Sequence, residues 1–368
     1  MTVLFRTDAS HEIGSGHVMR CLTLARALRD RGAECHFVSR EHPGNLIELV
    51  RRHGFRTTAL PLLADPLASK PGNPDRFDYR AWLGTEWETD AQQTISALNL
   101  PTVDCLVVDH YALGSDWEQQ LRPISRFIMA IDDLANRNHA TDVLLDQNLG
   151  KTRVDYETLA PKTCKLMIGP QYALLRPEFL DFRAVSLSRR QQGSRSNLLI
   201  TMGGMDQKNV TGSVLNALNQ WRSSLDFKVT VVLGGASPWR DEVSNQAEKM
   251  SFDTKVLVDV KNMAELMYQS DIAIGAAGST SWERCCLGLP TLQIVLAENQ
   301  RAIAHALSKA GAAKSLDRLE IETSLPMQLY QMTQDPLLLL SMSNAGAETV
   351  DGKGTPRVAG YIIEELSK

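Results

Sequence analysis

A short glycine-containing loop that ends at a histidine is the segment of this chain best suited to carry chemistry. The loop contains Gly14, Ser15 and Gly16, and His17 follows it directly. Glycines allow a backbone to approach a ligand closely, and the free amides at the start of a helix favour negative charge. A helix N-terminus also disfavours the protonated imidazolium, which leaves His17 able to act as a general base. The pattern predicts an anion-accepting loop with a base at its mouth.

Polar residues at the ends of two apolar stretches are the next candidates. Asp109, His110 and Tyr111 come directly after one stretch, and Asp8 lies just beyond another. Ligands of parallel sheets bind at the carboxyl ends of strands, and an acidic partner holds a histidine ring in one tautomer. We interpret Asp109 and Tyr111 as catalytic partners of His17, and Asp8 and His110 as substrate-binding residues. The alternative is that Asp109 and His110 only cap a loop.

The first loop does not match the best-known phosphate-binding motifs. The third glycine of the dinucleotide fingerprint is missing, and so are the lysine and hydroxyl of a P-loop. Neither motif is therefore predicted. The alternative for His17 is a purely structural role as a polar side chain near a helix cap. Arg6 and Arg20 are expected to be structural or exposed and not catalytic.

Strands and helices that must position these residues alternate through both halves of the chain. Short apolar runs typical of buried strands are separated by segments with helical spacing. Such alternation predicts an α/β fold with parallel sheets covered by helices on both faces. We predict a doubly wound Rossmann-like domain over residues 1–170, a second over residues 171–350, and a final helix within residues 351–368 that crosses back to the first domain. Residues 167–179 are predicted to connect the two domains.

Individual elements are predicted from the same spacing. In the second half, strands are expected over residues 197–201, 228–233 and 291–295, and a helix over residues 263–269. Residues 62–80 are rich in Pro, Asp and Gly, and they are expected to form a long loop near a site or on the surface.

A second glycine-containing loop occurs in the latter half of the chain. It follows a predicted strand and contains Gly278, Ser279 and Thr280, with Glu283 one turn into the next helix. Small residues and hydroxyls at the start of a helix suit a diphosphate, and the following carboxylate suits a ribose diol. The alternative is a tight turn with a solvated glutamate. Further substrate-binding candidates are Gly203, Gly204, Met263, Asn299 and Gln300.

Composition limits the class of partner. The chain has 368 residues and a net charge of −4, with no basic run, which argues against binding to nucleic acid. No apolar run approaches the roughly 20 residues that span a bilayer, and no secretory leader is recognisable. The six cysteines are scattered, so reduced thiols are expected rather than disulfides or a zinc site. We expect a cytoplasmic protein without a membrane anchor, as a monomer or a weak dimer.

Several segments of the chain together resemble one family of enzymes. They are residues 12–21, 107–111, 131–135 and 144–148 in the first half, and 169–176, 202–204, 275–283 and 298–300 in the second. Spread over most of the chain, they resemble the hydrolases of the pseudaminic acid pathway. That resemblance implies the GT-B architecture of nucleotide-sugar enzymes, in which two Rossmann-like domains face each other across a cleft.

The resemblance also implies an activity. It is the hydrolysis of UDP-2,4-diacetamido-2,4,6-trideoxy-β-L-altropyranose to UDP and the free sugar, with inversion at the anomeric carbon. By the same resemblance, His17 activates the attacking water, and Gly278, Ser279, Thr280 and Glu283 hold UDP.

No metal or other cofactor is expected for this chemistry. The chain lacks an Asp-x-Asp pattern that would hold a divalent ion on a diphosphate, and the adjacent side chains of Asp132 and Asp133 point apart if their strand continues. UDP leaves readily once helix-terminal amides stabilise its charge, so a single base suffices.

Two other functions fit the same sequence. A glycosyltransferase of the peptidoglycan type would use the same fold and UDP site, but the apolar and basic surface that docks a lipid acceptor is not evident. A non-catalytic nucleotide-sugar sensor would keep Glu283 and would not need His17.

Overall fold

The computed structural model of the protein describes residues 1–62, 79–98, 101–220, 227–235 and 237–368. Within this part, the chain divides into two units. The first comprises Met1–Leu174 together with Gly354–Lys368, and the second comprises Leu175–Lys353. The division falls after Leu174, a few residues beyond the boundary predicted at residue 170. Of the predicted loop over residues 62–80, residues 63–78 lie outside the described residues.

The described part of the first unit contains one sheet of seven parallel strands. The strands are β1 (Thr2–Thr7), β2 (Glu34–Arg40), β3 (Arg56–Leu60), β4 (Val103–Asp109), β5 (Ser125–Ile131), β6 (Val143–Asp146) and β7 (Lys165–Ile168). Their order is β3-β2-β1-β4-β5-β6-β7, so β1 pairs directly with β4. Because all strands run in the same direction, the carboxyl ends of β1, β4, β5 and β6 lie side by side.

Helices cover both faces of this sheet. They are α1 (Gly16–Arg29), α2 (Ile47–Arg52), α3 (Trp87–Ser96) and α4 (Ser115–Leu121). Val3 and Phe5 of β1 belong to the same buried cluster as Leu24 of α1, whereas Leu4 joins Trp117 of α4 on the opposite face. Burial on both faces explains why β1 reads as a continuous apolar run.

Gly14 shapes the loop between β1 and α1. Its φ is +79°, and an ideal Cβ at this position would have no atom within 4 Å. Glycine is therefore required here by the backbone conformation and not by crowding. The amide of Gly14 donates to the carbonyl of Ser10 at 2.9 Å, which closes the turn ahead of α1.

A second sheet of six parallel strands lies in the described part of the second unit. Its strands are β8 (Asn197–Thr201), β9 (Lys228–Leu233), β10 (Asp253–Val258), β11 (Ile272–Ala276), β12 (Thr291–Val295) and β13 (Ala313–Asp317), in the order β10-β9-β8-β11-β12-β13. The helices are α5 (Pro177–Arg190), α6 (Val210–Gln220), α7 (Arg240–Ala247), α8 (Met263–Gln269), α9 (Thr280–Cys286), α10 (Arg301–Lys309), α11 (Ile321–Gln334) and α12 (Pro336–Thr349). This strand order is that of a doubly wound Rossmann-like sheet.

The last helix, α13 (Gly354–Leu366), belongs to the first unit. Val358, Ala359 and Ile362 share one helix face and are fully buried in the cluster that contains the apolar face of α1. The side chain of Arg357 donates to the carbonyl of Gln171 at 2.8 Å.

The bounds of two predicted segments differ in the structure. The connector predicted over residues 167–179 contains the division between the two units, but it is shorter than predicted, because β7 extends to Ile168 and α5 begins at Pro177. Proline at the first position of a helix is favoured, and Pro177 occupies that position in α5. Gly275, the first residue of the segment 275–283 that contains the second glycine loop, is part of β11, so that loop begins after Ala276.

Candidate active site

His17 lies against the carboxylate of Asp109 in the first unit. His17 is the second residue of α1, and Asp109 is the last residue of β4. Nδ1 of His17 is 2.6 Å from Oδ1 of Asp109, and both side chains are buried. The pairing of β1 with β4 brings the start of α1 to the end of β4. The structure thus joins two of the residues predicted to be catalytic.

This contact determines which ring nitrogen of His17 is available. An ionised carboxylate only accepts hydrogen bonds, so Nδ1 of neutral His17 carries the proton and donates it to Asp109. Nη2 of Arg20 is farther from Nδ1, at 3.3 Å. Nε2 then presents a lone pair, and no residue in the described ranges hydrogen-bonds to it. The ring is therefore arranged to accept a proton at Nε2.

Arg20 holds the same carboxylate of Asp109. Its Nε donates to Oδ2 and its Nη2 to Oδ1, each at 2.6 Å. Burial by itself would raise the pKa of Asp109, but the charge of Arg20 and the hydrogen bonds from Arg20 and His17 lower it below its ordinary value. Asp109 therefore stays ionised, as its contact with His17 requires. The sequence interpretation missed this role of Arg20, although its position three residues after His17 on one helix face was the available signal.

Tyr111 is fixed by a second carboxylate, that of Asp133. The phenol donates to Oδ2 of Asp133 at 2.8 Å, and Nη1 of Arg20 donates to the same oxygen at 2.7 Å. Asn148 donates to Oδ1 of Asp133 at 3.1 Å. Burial and then the charge of Asp133 raise the pKa of Tyr111, so the phenol stays protonated. Its ring stands edge-on to the His17 ring, with the centroids 4.6 Å apart.

Two further aromatic residues pack on Tyr111. Tyr79 and Trp82 lie on the 3-10 turn Tyr79–Leu83, at centroid distances of 5.0 and 5.7 Å from the Tyr111 ring. Trp82 is stacked on Tyr111 with an interplanar angle of 23°, and Tyr79 meets both rings edge-on. Sequence reasoning did not identify either residue, because no spacing rule links them to Tyr111. We refer to Tyr79, Trp82 and Tyr111 as the aromatic cluster.

Asp8 and His110 belong to a separate buried network. Oδ1 of Asp8 is 2.7 Å from Nη1 of Arg6, and it also accepts a backbone amide hydrogen bond. Oδ2 lies 3.5 Å from Nε2 of His110 and 3.7 Å from Nε2 of His42. Burial lowers the pKa of His110 to about 3, so the ring is neutral. Among the described residues, Asp8 is thus brought to His110 and not to His17.

Asp146, at the end of β6, shares Tyr156 with Asp132. The phenolic oxygen of Tyr156 is 2.8 Å from Oδ2 of Asp146 and 3.0 Å from Oδ2 of Asp132. A phenol has one proton to donate, so the second contact needs a proton on one carboxyl group. Burial, then the charge of Asp133, raises the pKa of Asp146 to about 7. The pKa of Asp132 would be raised by burial but is lowered to about 2, chiefly by Arg137. Asp146 is therefore the protonated partner.

Replacing Asp146 by asparagine is expected to make the stability of the first unit less dependent on pH. Asparagine donates to Tyr156 at any pH, whereas Asp146 must keep its proton. The pKa of Asp146 in the folded protein is raised to about 7. The stabilisation by protonated Asp146 is therefore complete below its pKa in the unfolded chain, about 3.9, and is lost as the pH rises through 7. The melting temperature of Asp146→Asn relative to wild type should rise by about 4 °C or more between pH 5 and pH 8.

Calorimetry at both pH values measures this difference. The control is Asp116→Asn, which changes an exposed aspartate of α4 in the same unit. Its difference from wild type should be the same at both pH values. A constant difference for Asp146→Asn as well would show that Asp146 is ionised throughout this range.

The candidate residues of the second unit collect at the carboxyl edge of its sheet. Gly203 and Gly204 follow β8, the loop with Gly278 follows β11, and Asn299 and Gln300 follow β12. These three strands are neighbours in the sheet. The loops are therefore brought together although up to about 100 residues separate them in sequence.

At this edge, the loop with Gly278 lies next to Gln300. An ideal Cβ on Gly278 would lie 3.7 Å from Nε2 of Gln300, whose Oε1 accepts the amide of Leu296 at 3.0 Å. Ser279 precedes α9 and is exposed, and Thr280 is the first residue of that helix. Met263 is placed differently. It begins α8 after the edge strand β10, and two strands separate β10 from β11.

Glu283 is half-buried one turn into α9 and faces Arg176. Its Oε1 is 3.6 Å from Nη2 of Arg176, and Nη1 of that arginine is 3.0 Å from Glu178. Burial raises the pKa of Glu283, and the charge of Arg176 opposes this effect. Arg284 acts on Glu283 through its charge alone, so the carboxyl group keeps capacity to accept hydrogen bonds from hydroxyl donors.

Two features are absent from the described residues. None of their helices has the length and apolar character needed to cross a membrane. They also contain no group of three or more His, Cys, Asp and Glu residues arranged to hold a metal ion.

Sequence comparisons relate the chain to enzymes and proteins of sugar metabolism. Residues 197–354 match the family described as Glycosyltransferase family 28 C-terminal domain. The spore coat polysaccharide biosynthesis protein SpsG of Bacillus subtilis is 33% identical over 200 residues, or 54% of this chain and 58% of that protein. The UDP-2,4-diacetamido-2,4,6-trideoxy-beta-L-altropyranose hydrolase of Campylobacter jejuni is 26% identical over 315 residues, or 84% of this chain and 97% of that protein. The chain spans 57% and 58% of the lengths of two of the curated relatives that it matches.

Structural comparisons cover the whole chain. MurG of Acinetobacter baumannii superimposes with a TM-score of 0.66 at 16% identity, covering 99% of each chain. Anabaena HepE in complex with UDP-glucose gives a TM-score of 0.54 at 14% identity, covering 100% of this chain and 99% of that one. At these identities the similarity establishes the fold. The chain therefore has the GT-B fold, built from two Rossmann-like units, and its second unit matches the C-terminal domain of glycosyltransferase family 28.

Proposed function

We propose that the protein is a nucleotide-sugar hydrolase that acts on UDP-2,4-diacetamido-2,4,6-trideoxy-β-L-altropyranose. Water attacks the anomeric carbon and gives a proton to Nε2 of His17. The bond between that carbon and the diphosphate oxygen breaks, and its electron pair leaves with UDP. Attack opposite the leaving group inverts the anomeric centre, and no metal takes part. The free sugar then serves nonulosonate synthesis.

The observation that carries this proposal is the arrangement of His17. Its Nδ1 is 2.6 Å from an ionised carboxylate that Arg20 holds in place, which leaves Nε2 as the proton acceptor. The imidazolium formed during the reaction would be stabilised by Asp109. Such a base, held by buried partners, serves the activation of water and has no use in a protein that only binds its ligand.

Residues of the second unit support binding of the UDP moiety. Gly278, Ser279 and Thr280 expose a backbone loop next to Gln300, and Glu283 offers an acceptor for a ribose diol. The match to a glycosyltransferase C-terminal domain covers all of these residues.

The choice of sugar rests on two supports. One is the similarity to the Campylobacter jejuni hydrolase over 84% of this chain. The other is the aromatic cluster beside His17, because aromatic faces pack well against apolar groups. A 6-deoxy sugar with two acetamido groups carries three methyl groups, which suit such a surface.

A glycosyltransferase is the second candidate function. The family match and the fold shared with MurG favour it, since the same base could activate an acceptor hydroxyl in place of water. The two candidates differ in whether turnover requires an acceptor.

The deciding experiment measures UDP release without any acceptor and in the presence of EDTA. The substrates are UDP-2,4-diacetamido-2,4,6-trideoxy-β-L-altropyranose and, for comparison, UDP-N-acetylglucosamine, and NMR identifies the anomer first formed. We expect rapid release from the first substrate only, with inversion. Release only after an acceptor is added would establish a transferase, and loss of activity in EDTA would overturn the metal-free mechanism.

A further inference from the structure

We propose that the buried guanidinium of Arg284 sets the affinity of the second unit for the diphosphate of its ligand. This inference rests on the proposed function and deepens it, because it names a residue that neither the sequence pattern nor the family match identifies. Arg284 lies on α9, and its guanidinium contacts Ala276 and Thr280, the two residues that flank the loop before that helix.

Arg284 is almost completely buried, with 1% of its surface exposed. Nη2 donates to the carbonyl of Ala276 at 2.7 Å and to the hydroxyl of Ser281 at 3.0 Å, and Nη1 donates to the hydroxyl of Thr280 at 3.1 Å. All of these partners are neutral. Nε has no hydrogen-bonding partner within the described ranges, and the neighbouring carboxyl group of Glu283 acts on the guanidinium only through its charge, without a hydrogen bond.

A glycine in β11 leaves space for the guanidinium of Arg284. An ideal Cβ on Gly275 of β11 would lie 2.5 Å from Nη1 of Arg284 and 3.0 Å from the carbonyl oxygen of Thr201. Glycine in the middle of a strand costs stability. Its presence here admits the guanidinium to the carboxyl end of β11, at the edge where the candidate loops meet.

Arg284 keeps its charge in this position. Burial lowers its pKa to about 10, so the guanidinium remains protonated at neutral pH. A buried charge without a hydrogen-bonded ionic partner is costly, because neutral hydrogen-bonding groups replace only part of its hydration. An anion bound on the loop above would balance this charge.

The hydrogen bonds of Arg284 also orient two hydroxyl groups. Thr280 and Ser281 accept from the guanidinium through their oxygen atoms, so their own protons remain available for donation. Thr280 is partly exposed at the start of α9. The arrangement therefore combines a fixed positive charge with a directed donor, as recognition of phosphate oxygens requires.

Arg190 provides a matched control in the same unit. It is also buried, its Nε is also unpartnered in the described part of the chain, and it donates to the carbonyls of Ser270 and Met267. Burial lowers the pKa of Arg190 to about 10 as well. Its partners precede β11, however, so Arg190 lies at the amino end of the strand whose carboxyl end meets Arg284.

The test compares the binding of UDP, UMP and uridine to wild type, Arg284→Met, Arg284→Lys and Arg190→Met. Calorimetry gives the affinity for UDP and UMP, and ligand-observed NMR gives that for uridine. We expect Arg284→Met to bind UDP at least tenfold more weakly and uridine within twofold of wild type. Arg284→Lys should recover part of the UDP affinity, and Arg190→Met should bind UDP within twofold of wild type.

Other outcomes would overturn either the role of Arg284 or the proposed function. Equal losses for UDP and uridine, or no loss for UDP, would overturn the role of Arg284 in diphosphate binding. Should Arg284→Met fail to fold, Arg284→Gln retains a hydrogen-bond donor without charge and is judged by the same ratio of UDP to uridine affinities. Failure of the wild-type protein to bind UDP would instead overturn the proposed function.

Discussion

Replacing His17 by phenylalanine is expected to lower kcat for UDP release by at least about 100-fold, the lower end of the range for loss of a general base. Phenylalanine keeps an aromatic ring against Tyr111 but has no nitrogen at the position of Nε2. The affinity for UDP should stay within about threefold of wild type, because UDP is proposed to bind residues of the second unit. Turnover assays combined with calorimetry of UDP binding measure both effects.

The control for this variant is His53→Phe. His53 is a histidine of the first unit that follows α2 and contacts Arg26, outside the network of Asp109. It should retain wild-type turnover. A His17→Phe protein that loses UDP affinity but keeps its turnover per bound substrate would show that His17 is a binding residue and not the base.

Replacing Asp109 by asparagine is expected to lower kcat by about two to three orders of magnitude, because it changes the proton on His17. The amide nitrogen of asparagine donates to Nδ1, so the proton of neutral His17 moves to Nε2 and the base is lost. The change also removes an ionic partner of Arg20, and breaking a buried pair costs about 3–5 kcal/mol of stability. The second contact of Arg20 with Asp133, at 2.7 Å, should limit this loss.

Nitrogen NMR of labelled histidine separates these two effects. We expect the wild-type spectrum to show the proton of His17 on Nδ1 and the Asp109→Asn spectrum to show it on Nε2, which a purely structural role would not produce. Asp104→Asn is the matched control, since Asp104 lies on the same strand and accepts the amide of Thr2 at 2.7 Å. An unchanged His17 tautomer together with full activity in Asp109→Asn would refute the assignment of Asp109.

Short-range patterns were sufficient to predict much of the fold. The structure confirms the strands expected over residues 197–201, 228–233 and 291–295 and the helix over residues 263–269, with the same bounds. Each of these elements is specified by apolar spacing within its own residues. β7 and α5 were not predicted, because β7 has only four residues and α5 begins with proline, so the local signal of each is weak.

The positions of the candidate residues were also partly predictable. His17, Asp109 and Tyr111 were selected because they follow predicted strands or open a helix, and the structure brings all three together. Parallel sheets place the carboxyl ends of their strands at one edge, so residue position along a strand carries this information.

Only the tertiary structure decided which of these residues touch. Arg20 contacts Asp109 across 89 residues of sequence, and Asp8 lies beside His110 and not beside His17. Both arrangements depend on the pairing of β1 with β4, two strands that are not consecutive in the sequence. Strand order depends on how whole helices and sheets pack, which no local spacing records. The amino-acid sequence by itself therefore determined the elements and the loops that carry chemistry. The packing of distant strands determined the partners, the protonation states and the buried charge of Arg284.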